Sequence, residues 1–392
     1  MKKIRLGLLP RIVIAIVCGI LMGHVLPEPM VRVFVTFNNL FSEFLSFSIP
    51  LIIVGLVTVA IADIGKQAGR MLLITTLIAY GSTIISGFIS YFTGDLLFPR
   101  LIEVGAPITD ISEAHAAEPF FNVSIPPLMN VMTALVIAFT MGLGMAHIAG
   151  HTLKEAAHDF RDIIVRVIEA VILPLLPIYI FGIFTHITHS GQVVSVLLVF
   201  MKIIGIIFVL HILLLLLQYS IAGGIVRRNP LRLLGRMMPA YFTALGTQSS
   251  AATIPVTLEQ TKKNGVNPDV AGFVIPLCAT IHMSGSIQKL VACALALMIM
   301  QGMPYDFSLF AGFIFLLGIT VVAAPGVPGG VIMAALGILQ SMLGFGESEQ
   351  ALMIALYIAM DSFGTACNVT GDGAIALIMD KIAKKKPVAA SV

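Results

Sequence analysis

The sequence predicts an all-α polytopic membrane protein with eight transmembrane helices and two oppositely oriented re-entrant helical hairpins, arranged as inverted repeats. Three observations carry this expectation. Of 392 residues, 58% are hydrophobic and 11% charged, with a mean hydropathy of +1.01, whereas soluble domains carry roughly 25% charged residues. The apolar stretches are long and near-continuous rather than short and alternating, which selects helices over a β-barrel. Two later apolar stretches each enter and leave by one face, and small residues interrupt both.

The opening "MKKIRLGLLPRIVIAIVCGILMGHVLP" has the basic start and apolar run of a signal peptide but no small-x-small cleavage site, so it is expected to stay as the first span. Apolar segments of spanning length lie at 9–26, 39–62, 71–98, 126–150, 162–188 and 194–224. If these alternate, all 23 Lys and Arg except Arg32, Arg100, Lys202 and Lys289 fall on one side. Lys202 and Lys289 lie inside apolar stretches, and Glu103, Asp110, Glu113, Glu118, Asp306, Glu347 and Glu349 gather opposite. The positive-inside rule then puts both termini in the cytoplasm, with the chain in the plasma (bacterial inner) membrane.

Arg236 and Lys262 share the cytoplasmic face, so the apolar stretch 237–258 between them must return to where it entered. It is broken at "GTQSSAAT", leaving arms of about ten residues, roughly 15 Å of helix and half the hydrocarbon thickness. Residues 307–345, between Asp306 and Glu347, do the same from outside, with the break at "AAPGVPGG" (323–330). One such break equally fits a simple kink. Two, in opposed hairpins, mark a transporter binding site, because irregular backbone at membrane depth needs a cavity or protein around it. Beside them lies "DSFGTACNVTGD" (361–372), whose Asp361, Thr365, Asn368 and Asp372 share one helical stripe. Carboxylates there face a cavity or a partner; for Asp361 a helix–helix hydrogen bond is the alternative.

Other classes fit less well. A channel needs a continuous polar path, no Ser–His–Asp spacing or HExxH stands out, and "GVPGG" lacks the GK[ST] of a phosphate loop. Cys18, Cys278, Cys293 and Cys367 show no CxxC pairing and are expected as small buried hydrophobes. No enzyme activity, cofactor or nucleic-acid partner is expected; the lipid bilayer is the surrounding medium.

The motifs "TQSSAATIP" (247–255), "PLCATIHMSGS" (276–286), "GVPGG" (326–330) and "DSFGTACNVTGD" together resemble the dicarboxylate/amino acid:cation symporter family, which includes the glutamate transporters. The resemblance implies a homotrimer working as an elevator. Residues 1–70 would be scaffold helices 1–2, 71–100 transport-domain helix 3, and 101–192 an extracellular loop with scaffold helices 4–5. Residues 193–392 would form the transport core: helix 6, hairpin 1 (237–258), helix 7 (268–300), hairpin 2 (307–345) and helix 8 (348–383). It also implies that Asp361 takes a substrate ammonium and that Thr365, Asn368, Gln248, Ser249, Ser250, Val327 and Gly329 line the substrate site. The tip serines suit a carboxylate beside a helix N-terminus, although capping their own turn is an equally physical use. Sodium would be held by Asp372 with backbone carbonyls of Asn368, Cys278 and His282, and a second sodium by Thr280, Val321, Val322 and Ala324.

Two departures refine this. Relatives taking acidic substrates carry an arginine where this chain has Gly364, and nothing in the pocket assembled from sequence replaces it. Burying a second substrate carboxylate unpaired would cost several kcal/mol, so a small neutral amino acid is expected: alanine, serine, threonine or cysteine, or a larger apolar one in the room Gly364 leaves. The family's "NMDG" is "HMSG" here, with His282 and Ser284, which points to loss or alteration of a further sodium site with Tyr80 and Thr83 as remnants. His282 is then either a neutral hydrogen-bonded group in an unwound helix or a proton-coupling group. A mixed sodium/proton symporter and an acidic amino acid or dicarboxylate symporter stay as alternatives.

Overall fold

The computed structural model describes residues 8–66, 70–102, 118–191, 193–322 and 329–384, and within them every regular element is a helix. In chain order these are α1 (Leu8–Gly23), α2 (Glu28–Lys66), α3 (Arg70–Leu101), α4 (Val131–His147), α5 (Thr152–Val167), α6 (Leu173–His189), α7 (Val193–Val226) and α8 (Pro230–Thr247). They continue with α9 (Ser250–Lys263), α10 (Pro268–Ile281), α11 (Ser284–Met300), α12 (Phe307–Val322), α13 (Gly330–Leu343), α14 (Glu347–Ala359) and α15 (Asp361–Lys384). Among the described residues, five helical runs are long and apolar enough to cross a membrane, and the bent pair α14–α15 makes a sixth.

Local chemistry sets the boundaries. Asn229 and Asn267 each cap a helix whose first residue is proline, Pro230 and Pro268, where the missing N–H costs nothing. α8 stops at Gln248, in the left-handed region at φ 54°, and Ser249 immediately caps α9 by accepting from the Ala252 N–H. α5 and α6 run on through a π-helical turn at Ile168–Ile172, just ahead of Pro174 and Pro177. Three hydropathy boundaries shift. α2 begins at Glu28 rather than 39, because the polar Arg32, Asn38 and Asn39 lower hydropathy without breaking the helix; α4 starts at 131, beyond Pro126 and Pro127. The expected single helix over 348–383 is bent by 59° at Met360. Of the second interruption, residues 323–328 lie outside the described residues, with α12 and α13 on either side.

The helices pack in two groups: α1, α2 and α4–α6 with one another, and α3, α7–α11 and α15 with one another. α12–α14 touch both. In the first group α1 approaches α6 through Gly19 and Gly23, where a Cβ would stand 2.7 Å from the Phe181 carbonyl and 2.6 Å from Thr188 Cβ. In the second, every residue of α11 is buried, and nearly all of α15. α3 exposes Leu73, Leu77, Ile85, Phe92 and Leu96 along one side, a face suited to lipid. Helices apolar all round and buried thus form a centre in which any polar group needs a protein partner.

Candidate functional site

Two polar clusters occupy that centre, both resting on α15 and the broken α10–α11 pair. The 59° bend at Met360 makes Asp361 the first residue of α15. Its side chain is buried and both oxygens are used: Oδ2 accepts from the Gly329 backbone N–H at 3.0 Å, and Oδ1 from Lys289 Nζ at 2.9 Å. Lys289 is fully buried in α11. Its ammonium also stands 3.4 Å from the centroid of the Tyr357 ring and 3.4 Å from the Tyr357 carbonyl oxygen. A Cβ on Gly364 would lie 3.0 Å from Lys289 Cε and Nζ, so the lysine fills the room left by that glycine.

Sequence reading found no replacement for the missing arginine; the fold brings a buried lysine beside Gly364, paired with Asp361. The lysine arrives from another helix and needs the fold to bring it there. Its sequence signal was available, since a lysine inside an uninterrupted apolar helix needs a buried partner.

Asp361, Thr365, Asn368, Gln248, Ser250 and Gly329 line one cavity of about 30 Å³, which Lys289's partner Tyr357 also walls; that is room for about one water. Ser249 is not in its wall and spends its hydroxyl on capping α9, while the Gln248 amide donates to Ser362 Oγ at 3.1 Å. Asn368 is committed to the start of α11: its Oδ1 accepts from the N–H of Gly285 (2.7 Å) and Ser286 (3.3 Å), and its Nδ2 donates to Ser286 Oγ at 2.9 Å. It satisfies N–H groups that the chain break would leave orphaned. Val327 lies outside the described residues.

Further along the stripe, Asp372 Oδ1 lies 2.9 Å from His282 Nδ1, with both side chains essentially unexposed. His282 Nε2 faces Ser82 Oγ at 3.1 Å and the Gln218 amide nitrogen at 3.4 Å. That nitrogen also donates to Ser82 Oγ (3.0 Å) and Ser284 Oγ (3.1 Å), leaving Gln218 Oε1 without a partner. The two N–H groups of that amide being so used, Ser82 Oγ, which accepts one of them, can give its own proton to His282 Nε2, an arrangement compatible with an Nδ1–H directed at Asp372. Ser82, Ser86 and Ser90 of α3 and Gln218 of α7 were not singled out by sequence reasoning. Ser86 and Ser90 donate to the Ser284 and Gln288 carbonyls at 2.7 and 2.6 Å, and Thr83 accepts from the Met283 N–H at 3.2 Å. α3 therefore satisfies the opened backbone of the α10–α11 break. The signal for Gln218 was a lone amide in "LLLLLQYS".

The expected cation ligands divide. Asp372 and Asn368 sit one turn apart on α15, but the Asp372 carboxylate is engaged by His282, and the Cys278 carbonyl accepts the His282 N–H at 2.8 Å. Thr280 and Val322 wall one cavity of about 270 Å³ with Asp63, Leu72 and Leu277. Val321 is buried and Ala324 is outside the described residues. Tyr80 donates to the Phe315 carbonyl of α12 at 3.2 Å.

The arrangement is that of two buried carboxylates about three turns apart, each facing a basic side chain, with a cavity at one of them. The model of the sodium:dicarboxylate symporter family matches residues 8–382. The serine/threonine transporter SstT of Streptococcus suis (strain 05ZYH33) is 28% identical over 339 residues, which cover 84% of this chain and 93% of that protein.

Proposed function

The chain belongs to the sodium:dicarboxylate symporter family, and from that premise we propose that it carries a small neutral amino acid into the cell on a sodium gradient. It is an integral membrane transporter of the amino acid symport type and not an enzyme. The finer reading rests chiefly on one observation: among the described residues Asp361 is the only carboxylate lining the small cavity, and position 364 beside it is glycine, not arginine. A buried anion selects an ammonium, and with glycine rather than arginine at 364 a second substrate carboxylate lacks the bidentate partner it would need. The relative's serine/threonine specificity agrees with that size and charge.

In this reading the substrate ammonium goes to Asp361 and its carboxylate to the Gln248–Ser250 tip and the N-terminal end of α9, with Thr365 and Asn368 between. Sodium goes to Asp372 and to the Thr280–Val322 region. α1, α2 and α4–α6 serve as the scaffold of a homotrimer, with both termini cytoplasmic. α3, α7–α11 and α15, with the α8–α9 and α12–α13 pairs as re-entrant hairpins, move as the elevator. Because the cavity holds about one water, loading in this reading needs it to widen, with the bond from Gly329, at the head of α13, to Asp361 released. A second reading, proton coupling, is supported by His282 standing on Asp372.

Uptake of the twenty standard amino acids into proteoliposomes, with and without an inward sodium gradient, tests this. Concentrative, sodium-driven uptake of serine, threonine, alanine or cysteine is expected. Aspartate or glutamate as the best substrate would overturn the neutral reading, and non-concentrative, sodium-independent flux the symport.

A further inference from the structure

Lys289 stands behind the substrate cavity on Asp361, and the functional reading gives it no task. It is a full charge on a wholly buried helix, with its Nζ 2.9 Å from Asp361 Oδ1. That is the place a substrate ammonium must take if Asp361 reads it. An ammonium on a four-carbon stem is chemically the same head group as the one it would yield to. The other oxygen of Asp361 holds Gly329 at the head of α13. A carboxylate already neutralised by a lysine can keep that N–H in the empty protein without leaving an unpaired charge buried.

We propose that Lys289 is a tethered stand-in for the substrate ammonium, holding Asp361 when the site is empty and yielding it when an amino acid binds. The side chain has somewhere to go. Its Nζ is already 3.4 Å from the Tyr357 ring centroid and 3.4 Å from the Tyr357 carbonyl, so an ammonium leaving Asp361 keeps a cation–π contact and an acceptor. Gly364 makes the exchange possible, because any side chain there would meet Lys289 Cε and Nζ at 3.0 Å. Lys289 is thus a specificity-determining residue: a ligand without an ammonium has nothing to set against the displaced lysine, and one with an ammonium replaces like with like.

The proposal rests on the amino acid reading above. It is tested by measuring binding of the twenty standard amino acids, and of L-lactate as an ammonium-free probe, to purified full-length protein carrying Lys289→Gln. Without the internal competitor, the amino acid that wild type binds best is expected to bind at least about ten-fold tighter, some 1.4 kcal/mol, with L-lactate unchanged. Equal or weaker amino acid binding by the folded variant would overturn the proposal, since Lys289 would then be structural or would itself hold the substrate. Should an unpaired Asp361 prevent folding, the double variant Lys289→Gln/Asp361→Asn removes both charges of this pair. It is expected to lose the discrimination between amino acid and L-lactate, and retained discrimination would overturn the proposal. Wild type binding no amino acid at all would sink the functional reading, and the lysine proposal with it. Wild-type binding without tightening in the variant sinks the lysine proposal alone.

Discussion

Replacing Asp361 by Asn leaves Lys289 buried without its counter-ion, and the cost follows from the geometry. At 2.9 Å two unit charges attract by about 6 kcal/mol at an effective dielectric of about 20. Most of that is offset by the hydration both lose, so the intact pair contributes little net stability. Breaking it from one side costs ~3–5 kcal/mol, because the orphaned charge keeps its desolvation and loses its partner. Asp361→Asn and Lys289→Gln are each expected to lose about that much in the ligand-free protein, and the double variant much less than their sum. The protein has no tryptophan, but Cys278, Cys293 and Cys367 are buried, so a thiol-reactive dye reports unfolding in detergent. Each single variant should melt roughly 5 °C below wild type, at the shallow slope of a chain this long, and the double variant above both. Additive losses, or a neutral single variant, would refute the idea that Lys289 and Asp361 compensate each other.

Three further outcomes are expected. Gly285→Ala would put a Cβ 2.7 Å from Cys367 Cβ and 2.8 Å from the Gly364 carbonyl; separating α11 from α15 should cost ~1–3 kcal/mol and lower transport, whereas a wild-type melting curve would contradict the close packing. His282→Gln is expected to leave the pH profile of uptake unchanged if the imidazole is a neutral bridge between Asp372 and Ser82; a changed profile favours the proton-coupled reading. Asp372→Asn should abolish or right-shift the sodium dependence of uptake while amino acid selectivity persists, and an unchanged sodium dependence would remove Asp372 from the cation site.

Residues 361–372 illustrate how far one dimension reaches. The spacing of Asp361, Thr365, Asn368 and Asp372 is a local property, set by helical periodicity, and the four do lie along α15. The interruption at Gln248–Ser249 is local too, since the capping Ser249 announces it, whereas the break at His282–Met283 divides residues 268–300, expected as one helix. Composition alone dictated a helical membrane protein, because 58% hydrophobic residues cannot be covered by 11% charged ones. The partners of the two aspartates were not legible in the same way. Lys289 is 72 residues from Asp361 and His282 is 90 from Asp372, and no period or motif links positions so far apart. Ser82 and Gln218 come from two further helices, and nothing in the chain order says that they meet His282. Chain separation carries no information about which buried charges meet. That is decided when α11 and α15 pack through Gly285 and Gly364, since in a centre without water each charge must find its counter-ion among the side chains that packing delivers.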